Sequence, residues 1–442
     1  MTRLRYHTLL LIISLLLALS ASPRNSTAAD ATDPFAPYLT GEAPVIVEDL
    51  GTETRSNGAV SLRQVVFRSR LVGNRESRVY AAIASPSAAG TYPGILVLHG
   101  GAGAAEIDKA VGWAARGYIA IAPDLPGIGE PSKMPHSSGP WKDTSYASRH
   151  LTALPDASAS SIFDGVLAAV QSLYLLRNQN NIDRSKIGVV GLSWGGYTTT
   201  MVAGLTGTQV RAAFSIFGSG YYDRGSFWQG ALAQQSAQER NNWLTHLDAG
   251  RHAKNITASY FVAAATNDTY FWPPAVMATL KDVPGVKNQV FSPNSDHTIS
   301  LPGDALNWGG ARWLGLEYTY FDYYLKGIGA LPPVVTVESV TQQTDGSTRV
   351  RFRVQSTINI QSTAVYYSTR DQAWKARQWL KIDATMLSAG QYQATIPAGA
   401  VTKGADWFAL ATDTRSVTAS TLIIPANTNV QSSTVFVPLC IK

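Results

Sequence analysis

The chain reads as an α/β protein, a mainly parallel sheet with helices on both faces, followed by a small all-β sandwich. Three observations predict this. Between Gly94 and Lys326, continuous apolar runs of strand length alternate with segments of helical length, the pattern of strands buried on both faces and crossed over by helices. At Leu331-Pro332-Pro333 the rhythm switches to short alternating runs with turn residues between them, which have no helical period. The 442 residues, 45% hydrophobic and 15% charged, suit one large domain and a smaller one rather than a disordered chain.

Taken in order, residues 1–22 resemble a signal peptide. Arg3 and Arg5 form a positive flank, Leu9 to Leu19 the apolar stretch, and small residues from Ala18 to Ser22 a cleavage region. The apolar stretch is shorter than the roughly 20 residues of a spanning helix, so export is expected, with no stable membrane insertion. Cys440 is the single cysteine, so no internal disulfide forms and packing must hold the protein together. A linker follows over 23–44, and the α/β unit is expected over 45–330. It begins with a hairpin, Arg63 to Arg70 and Arg78 to Ser85, turned at Gly73-Asn74. Buried strands are expected at Gly94 to Leu98, Tyr118 to Ala122, Lys186 to Val190, Val210 to Phe217, Ser259 to Ala265 and Lys287 to Phe291. Helices are expected up to Gly117, over Ser160 to Leu176 with an apolar stripe, after Gly195, and over Ala311 to Lys326. An insertion occupies 218–250. The last domain, 331–442, has about seven short strands, the size of an immunoglobulin or fibronectin type III sandwich.

The strongest chemical signal is Gly191-Leu192-Ser193-Trp194-Gly195-Gly196, directly after a buried strand and before a helix. A turn this sharp lifts the serine oxygen into the cleft, and the glycines leave room for it. A hydroxyl is a weak nucleophile and needs a base held in one orientation. The order serine, acid, histidine belongs to this arrangement. Of the histidines after Ser193, His246 and His252 fall in or beside the insertion, whereas His297 follows a strand on a loop at its C-terminal end. Asp268 follows the preceding strand in Thr266-Asn267-Asp268-Thr269 and is the expected acid; Asp296 and Asp248 are weaker competitors. The oxyanion donors are expected to be the amide of Trp194 and one from His99-Gly100-Gly101-Ala102, at Gly101 or Ala102. His99 itself reads as a structural residue of that turn.

Other chemistries fit less well. Gly101-Ala102-Gly103 before Asp124 has the outline of a dinucleotide fingerprint, but Glu106 stands where the third glycine belongs and would repel a pyrophosphate. No pair of His or Cys has metal-ligand spacing, so neither metal nor cofactor is expected. The net charge of +6 includes the two leader arginines and is scattered, which argues against nucleic acid. Aromatic residues of the insertion and acid loop, Tyr222, Trp228 and Trp272 among them, are candidates for the substrate wall. The sequons at Asn25, Asn255 and Asn267 read as chance.

Between Gly94 and Gly327 the chain resembles the dienelactone hydrolase and acetyl xylan esterase-like branch of the α/β-hydrolases. The resemblance rests on His99-Gly100-Gly101, Asp124-Leu125-Pro126-Gly127, the Ser193 elbow, Thr266-Asn267-Asp268 and the His297 loop. It implies an α/β-hydrolase fold and an esterase. Dienelactone hydrolase proper uses a cysteine nucleophile, so the serine favours ordinary esters. Members of the branch commonly deacetylate plant polysaccharides, which makes a small-molecule or polysaccharide ester the expected substrate. Tyr197 after the elbow also resembles the prolyl oligopeptidase group, and a serine peptidase is the second reading. A third gives the sandwich, with Trp374, Trp379 and Trp407, a carbohydrate- or surface-binding role; a stabilising cap is preferred.

Overall fold

The computed structural model describes residues 33–143, 149–299 and 314–428. The leader, the first part of the linker and the start of the last helix lie outside them. The hairpin forms as β2 (Val60–Val72) and β3 (Arg75–Pro86), with Gly73 at φ +62° in its turn. An outer strand, β1 (Ile46–Arg55), pairs with β2. It gives no alternation in the sequence because nearly all of its side chains face solvent or the sheet edge.

Six further strands complete the main sheet: β4 (Tyr92–Leu98), β5 (Ile119–Pro123), β6 (Ile182–Leu192), β7 (Ala212–Ile216), β8 (Ser259–Ala265) and β9 (Lys287–Ser292). Their order is β1-β2-β3-β5-β4-β6-β7-β8-β9. From β5 to β9 every pairing is parallel. Strands β5, β7 and β8 are buried at every residue, as their uninterrupted apolar runs require. The chain steps from β4 to β5 on one side and from β6 to β9 on the other. This reversal opens a crevice at the C-terminal ends of β4 and β6, where ligands bind in open α/β sheets.

Helices α1 (Ile107–Ala115), α2 (Ser161–Arg177) and α3 (Trp194–Thr206) connect the central strands. Helix α2 departs from the expected apolar stripe, because all but its last residue are buried. Phe35 stacks on Phe163 at 4.5 Å, and Arg70 neutralises the buried Asp164 at 2.5 Å. The part of the expected linker from residue 33 onward is therefore packed onto the catalytic unit. The insertion carries three short helices, α4 (Gln229–Gln234), α5 (Ala237–His246) and α6 (Ala249–His252). Helix α7 (Pro273–Asp282) precedes β9. Helix α8 (Leu314–Phe321) ends in a π-helical turn, Asp322–Lys326. No helix among the described residues is long and apolar enough to cross a membrane.

The C-terminal region is two antiparallel sheets. One contains β10 (Val334–Gln342), β11 (Thr348–Gln355), β14 (Thr385–Ser388) and β15 (Gln391–Ile396). The other contains β12 (Ile360–Thr369), β13 (Leu380–Asp383), β16 (Ala405–Asp413), β17 (Thr418–Ser420) and β18 (Ile424–Pro425). Strand β16 is buried along its whole length. Ala405, Trp407, Ala409 and Ala411 face the sandwich core, while Phe408 and Leu410 join the hydrophobic core of the catalytic unit. Phe408 lies 6.2 Å from Phe291, and Ser420 supplies hydrogen-bond partners to Gln289 and to the Phe291 amide. The sandwich thus covers β9, which would otherwise be an open sheet edge. Trp379 and Trp407 are buried, so they do not form an exposed aromatic plane.

Candidate active site

Ser193 joins β6 to α3 with φ +58° and ψ −120°, a conformation outside the regions ordinary side chains favour. A Cβ on Gly191 would lie 2.2 Å from the Gly195 carbonyl oxygen, and one on Gly195 would lie 2.1 Å from that of Leu98. Only glycine at both places lets the turn close this tightly. The Ser193 amide is anchored on the Ile216 carbonyl at 2.8 Å, which leaves the half-buried hydroxyl facing the cleft.

His297 Nε2 lies 2.9 Å from Ser193 Oγ, and Nδ1 lies 2.9 Å from Asp268 Oδ2. With Nδ1–H donating to the carboxylate, Nε2 accepts from the serine hydroxyl, the tautomer a general base requires. Asp268 is fully buried, and its other oxygen accepts the amides of Tyr270 and Phe271 at 2.7 and 3.0 Å. These bonds fix the carboxylate plane before the histidine meets it.

The competitors take other partners. Asp296 accepts the Thr269 amide and hydroxyl and its neighbour's own amide, away from the imidazole. Asp248 accepts the amides of Tyr221, Tyr222 and Gly250 and pairs with Arg251, capping α6 and tying it to the start of the insertion.

Trp194 is the first residue of α3, so its amide has no intrahelical acceptor. The Gly101 amide has no acceptor among the described residues. The Ala102 amide, in contrast, donates to the Ile128 carbonyl at 3.0 Å. Of the two amides expected at this turn, the one at Ala102 is thus engaged within the fold. The turn behind Gly101 is wired by His99: Nδ1–H donates to the Gly100 carbonyl at 2.7 Å, and Nε2 accepts the Leu125 amide at 2.9 Å. Burial pushes the His99 imidazole down to about 4, so it is neutral and architectural. Asp124 accepts the Ala105 amide and the Ser137 hydroxyl.

The aromatic candidates divide. Tyr222 is fully buried, stacked at 4.9 Å on Trp228 and packed on Trp194, Trp243 and Phe271. It is the backing of the wall rather than its surface, a correction to the sequence reading. Trp228 is half-buried, 4.8 Å from the Trp194 ring. Trp272 donates its indole N–H to the Thr269 carbonyl and starts α7; the rings that meet His297 are instead Phe217 at 4.6 Å, Tyr270 at 5.0 Å and Phe271 at 6.0 Å. Phe217 and Tyr270 went unmarked in the sequence, although each lies at or just beyond the C-terminal end of a buried strand. Phe227 is 58% exposed and reaches Tyr270, whose carbonyl accepts the Phe227 amide. The insertion is therefore docked on the acid loop. Asn267 is buried with its amide nitrogen bonded inward, which leaves that sequon no room for a glycan. Among the described residues no group of His, Cys, Asp or Glu could hold a metal ion.

The dienelactone hydrolase family model matches residues 79–287. No curated protein matches the chain. Among solved structures, acetyl xylan esterase 1 from Thermoanaerobacterium sp. JW/SL YS485 is 20% identical with a TM-score of 0.51, over 65% of this chain and 91% of that one. An acetyl xylan esterase from Paenibacillus sp. R4 is 17% identical with a TM-score of 0.46, over 59% and 86%. An acylaminoacyl peptidase from Pyrococcus horikoshii is 15% identical with a TM-score of 0.41, over 64% and 51%. Sheet order, elbow and family match agree: the chain has an α/β-hydrolase fold whose residues 79–287 are similar to the dienelactone hydrolase family, and it carries a C-terminal β-sandwich.

Proposed function

We propose that this protein is a secreted serine hydrolase of carboxylic esters, preferring acetyl and other short acyl groups, with acetylated polysaccharide as a substrate. The observation that carries the reading is the hydrogen-bonded chain Ser193–His297–Asp268 beside the Gly101 and Trp194 amides. Ser193 Oγ attacks the acyl carbonyl while its proton passes to His297 Nε2. The two amides stabilise the oxyanion, a role worth roughly 100- to 1000-fold per donor. His297 returns the proton to the departing alcohol, leaving the acyl group on Ser193. Water, deprotonated by the same nitrogen, then releases the carboxylic acid. Asp268 orients the imidazole and stabilises its charged form; no metal or cofactor takes part.

A short acyl group is supported by the aromatic packing of Trp194, Trp228, Tyr222 and Phe271 beside the elbow. The exposed faces of Phe227 and Tyr270 suit a sugar ring or another apolar alcohol. The name of the acetyl xylan esterase from Thermoanaerobacterium above supports acetyl transfer to water. Secretion rests on the leader alone and is tested by N-terminal sequencing of protein recovered from the medium.

The deciding assay compares the mature protein with Ser193→Ala on p-nitrophenyl acetate, butyrate and octanoate. Acetate should turn over fastest, and the variant should lose roughly a millionfold in rate. No turnover on any ester would overturn the esterase reading and move the weight to a serine peptidase.

A further inference from the structure

We infer that the β-sandwich positions the triad, through a clamp in which Trp374–Trp379 holds Asn267 and Asn294 on the acid and histidine loops. The inference rests on the triad reading above. Trp374–Ala376 is a single 3₁₀ turn in which the Trp374 carbonyl accepts the Arg377 amide at 3.3 Å, and the carbonyls after it have no partner within the turn. The Asn267 amide nitrogen supplies one from the other domain. It donates to the carbonyls of Trp374, Lys375 and Arg377 at 3.2, 3.1 and 2.6 Å. Asn267 immediately precedes Asp268, so its backbone sets where the acid begins.

Two residues after Arg377, the Trp379 backbone pairs both ways with the Asn294 side chain, accepting from it and donating to it at 2.8 Å. Asn294 lies three residues before His297, at φ +53°. The two loops are also tied to each other beneath the clamp. Thr266 Oγ1 donates to Asn267 Oδ1 at 2.6 Å and accepts the Asn294 amide at 2.9 Å, while the Asn267 amide donates to the Ser295 carbonyl at 3.0 Å. One short segment of the sandwich thus sets the separation of the two loops that carry the base and its orienter.

The clamp is rigid on its own side. Arg377 is buried, pairs with Asp406 at 2.8 Å, and lies 3.7 Å from the Trp374 ring. Trp379 is buried 5.2 Å from Phe408. Asn267 and Asn294 are accordingly positioning residues.

The test uses full-length protein as wild type, Asn267→Ala, Asn294→Gly and the double variant. Glycine accepts the left-handed backbone at 294 without strain, so Asn294→Gly removes the side-chain pair alone and decides the question even if Asn267→Ala fails to fold. Three quantities are read: the rate of Ser193 labelling by an alkyl fluorophosphonate, kcat and KM on p-nitrophenyl acetate, and the thermal midpoint. Each single variant should lose roughly 10- to 100-fold in labelling rate and in kcat, with KM within about twofold. The double variant should be little worse than the more damaged single one, because both residues grip the same segment. Folded variants that lower the thermal midpoint but label and turn over at the wild-type rate would overturn the clamp. Wild type that labels but cleaves no ester would sink the ester reading alone, and the labelling rates would still test the clamp. Wild type that does not label would overturn both.

Discussion

Asp268 uses one carboxylate oxygen on the Tyr270 and Phe271 amides and presents the other to His297, whereas Asp248 spends both of its oxygens on the insertion's backbone and Arg251. The two aspartates are equally buried, so burial does not separate their roles; their partners do. Asp268→Asn should keep the fold and lower kcat by roughly 10,000-fold, because the amide favours the wrong imidazole tautomer. Asp248→Asn should behave in the opposite way, costing about 1–3 kcal/mol of stability while kcat per titrated active site stays at the wild-type value. Urea melts and burst titration of both variants check the pair. The residues that chain order and motif spacing single out, Ser193, Asp268 and His297, are the ones that meet. The amide at Gly101 and the rings at Phe217 and Tyr270 were not legible in the same way. Which amide of a turn is already occupied, and which ring reaches the imidazole, depend on Ile128 and on strands far away in sequence.

Strand β16 shows what periodicity conveys at the scale of an element. Its core, Trp407-Phe408-Ala409-Leu410-Ala411, has no polar alternation, and such a run signals burial on both faces. Read as a member of a free-standing sandwich, it conceals that its second face belongs to the catalytic unit. Strand β1 fails for the opposite reason, since an edge strand in solvent has no hydrophobic face to reveal it. The two faces of β16 make separable predictions. Trp407→Ala empties the sandwich core and should cost about 3–5 kcal/mol. Phe408→Ala, at the junction with Phe291, Tyr366 and Trp379, should also loosen the segment that holds Asn267. Protease susceptibility near Leu331, read beside kcat, distinguishes them: Phe408→Ala should raise the first and lower the second together.

At the scale of the whole molecule, the catalytic unit depends on two imidazoles that must stay neutral. His99 wires the turn at Gly100 to the Leu125 amide. His150 donates to the Gly127 carbonyl, its ring lies 5.0 Å from Trp194, and its carbonyl accepts the Trp243 indole N–H. Burial pushes both down from the ordinary 6.5 to about 4. A folded-state pKa below the unfolded value means that the unfolded chain binds protons first on acidification. The stability these groups contribute is therefore complete above pH 6.5 and is lost as the pH falls toward 4. A depression of this size amounts to about 3 kcal/mol for each histidine. Urea melts from pH 7.5 to 4 should show these two histidines together contributing up to two protons to the slope of unfolding free energy across that window. His99→Gln, which keeps a donor and an acceptor in the turn but cannot titrate, should reduce the slope by one proton, even if it lowers stability at neutral pH. A slope unchanged in that variant would show that His99 does not govern the acid limb.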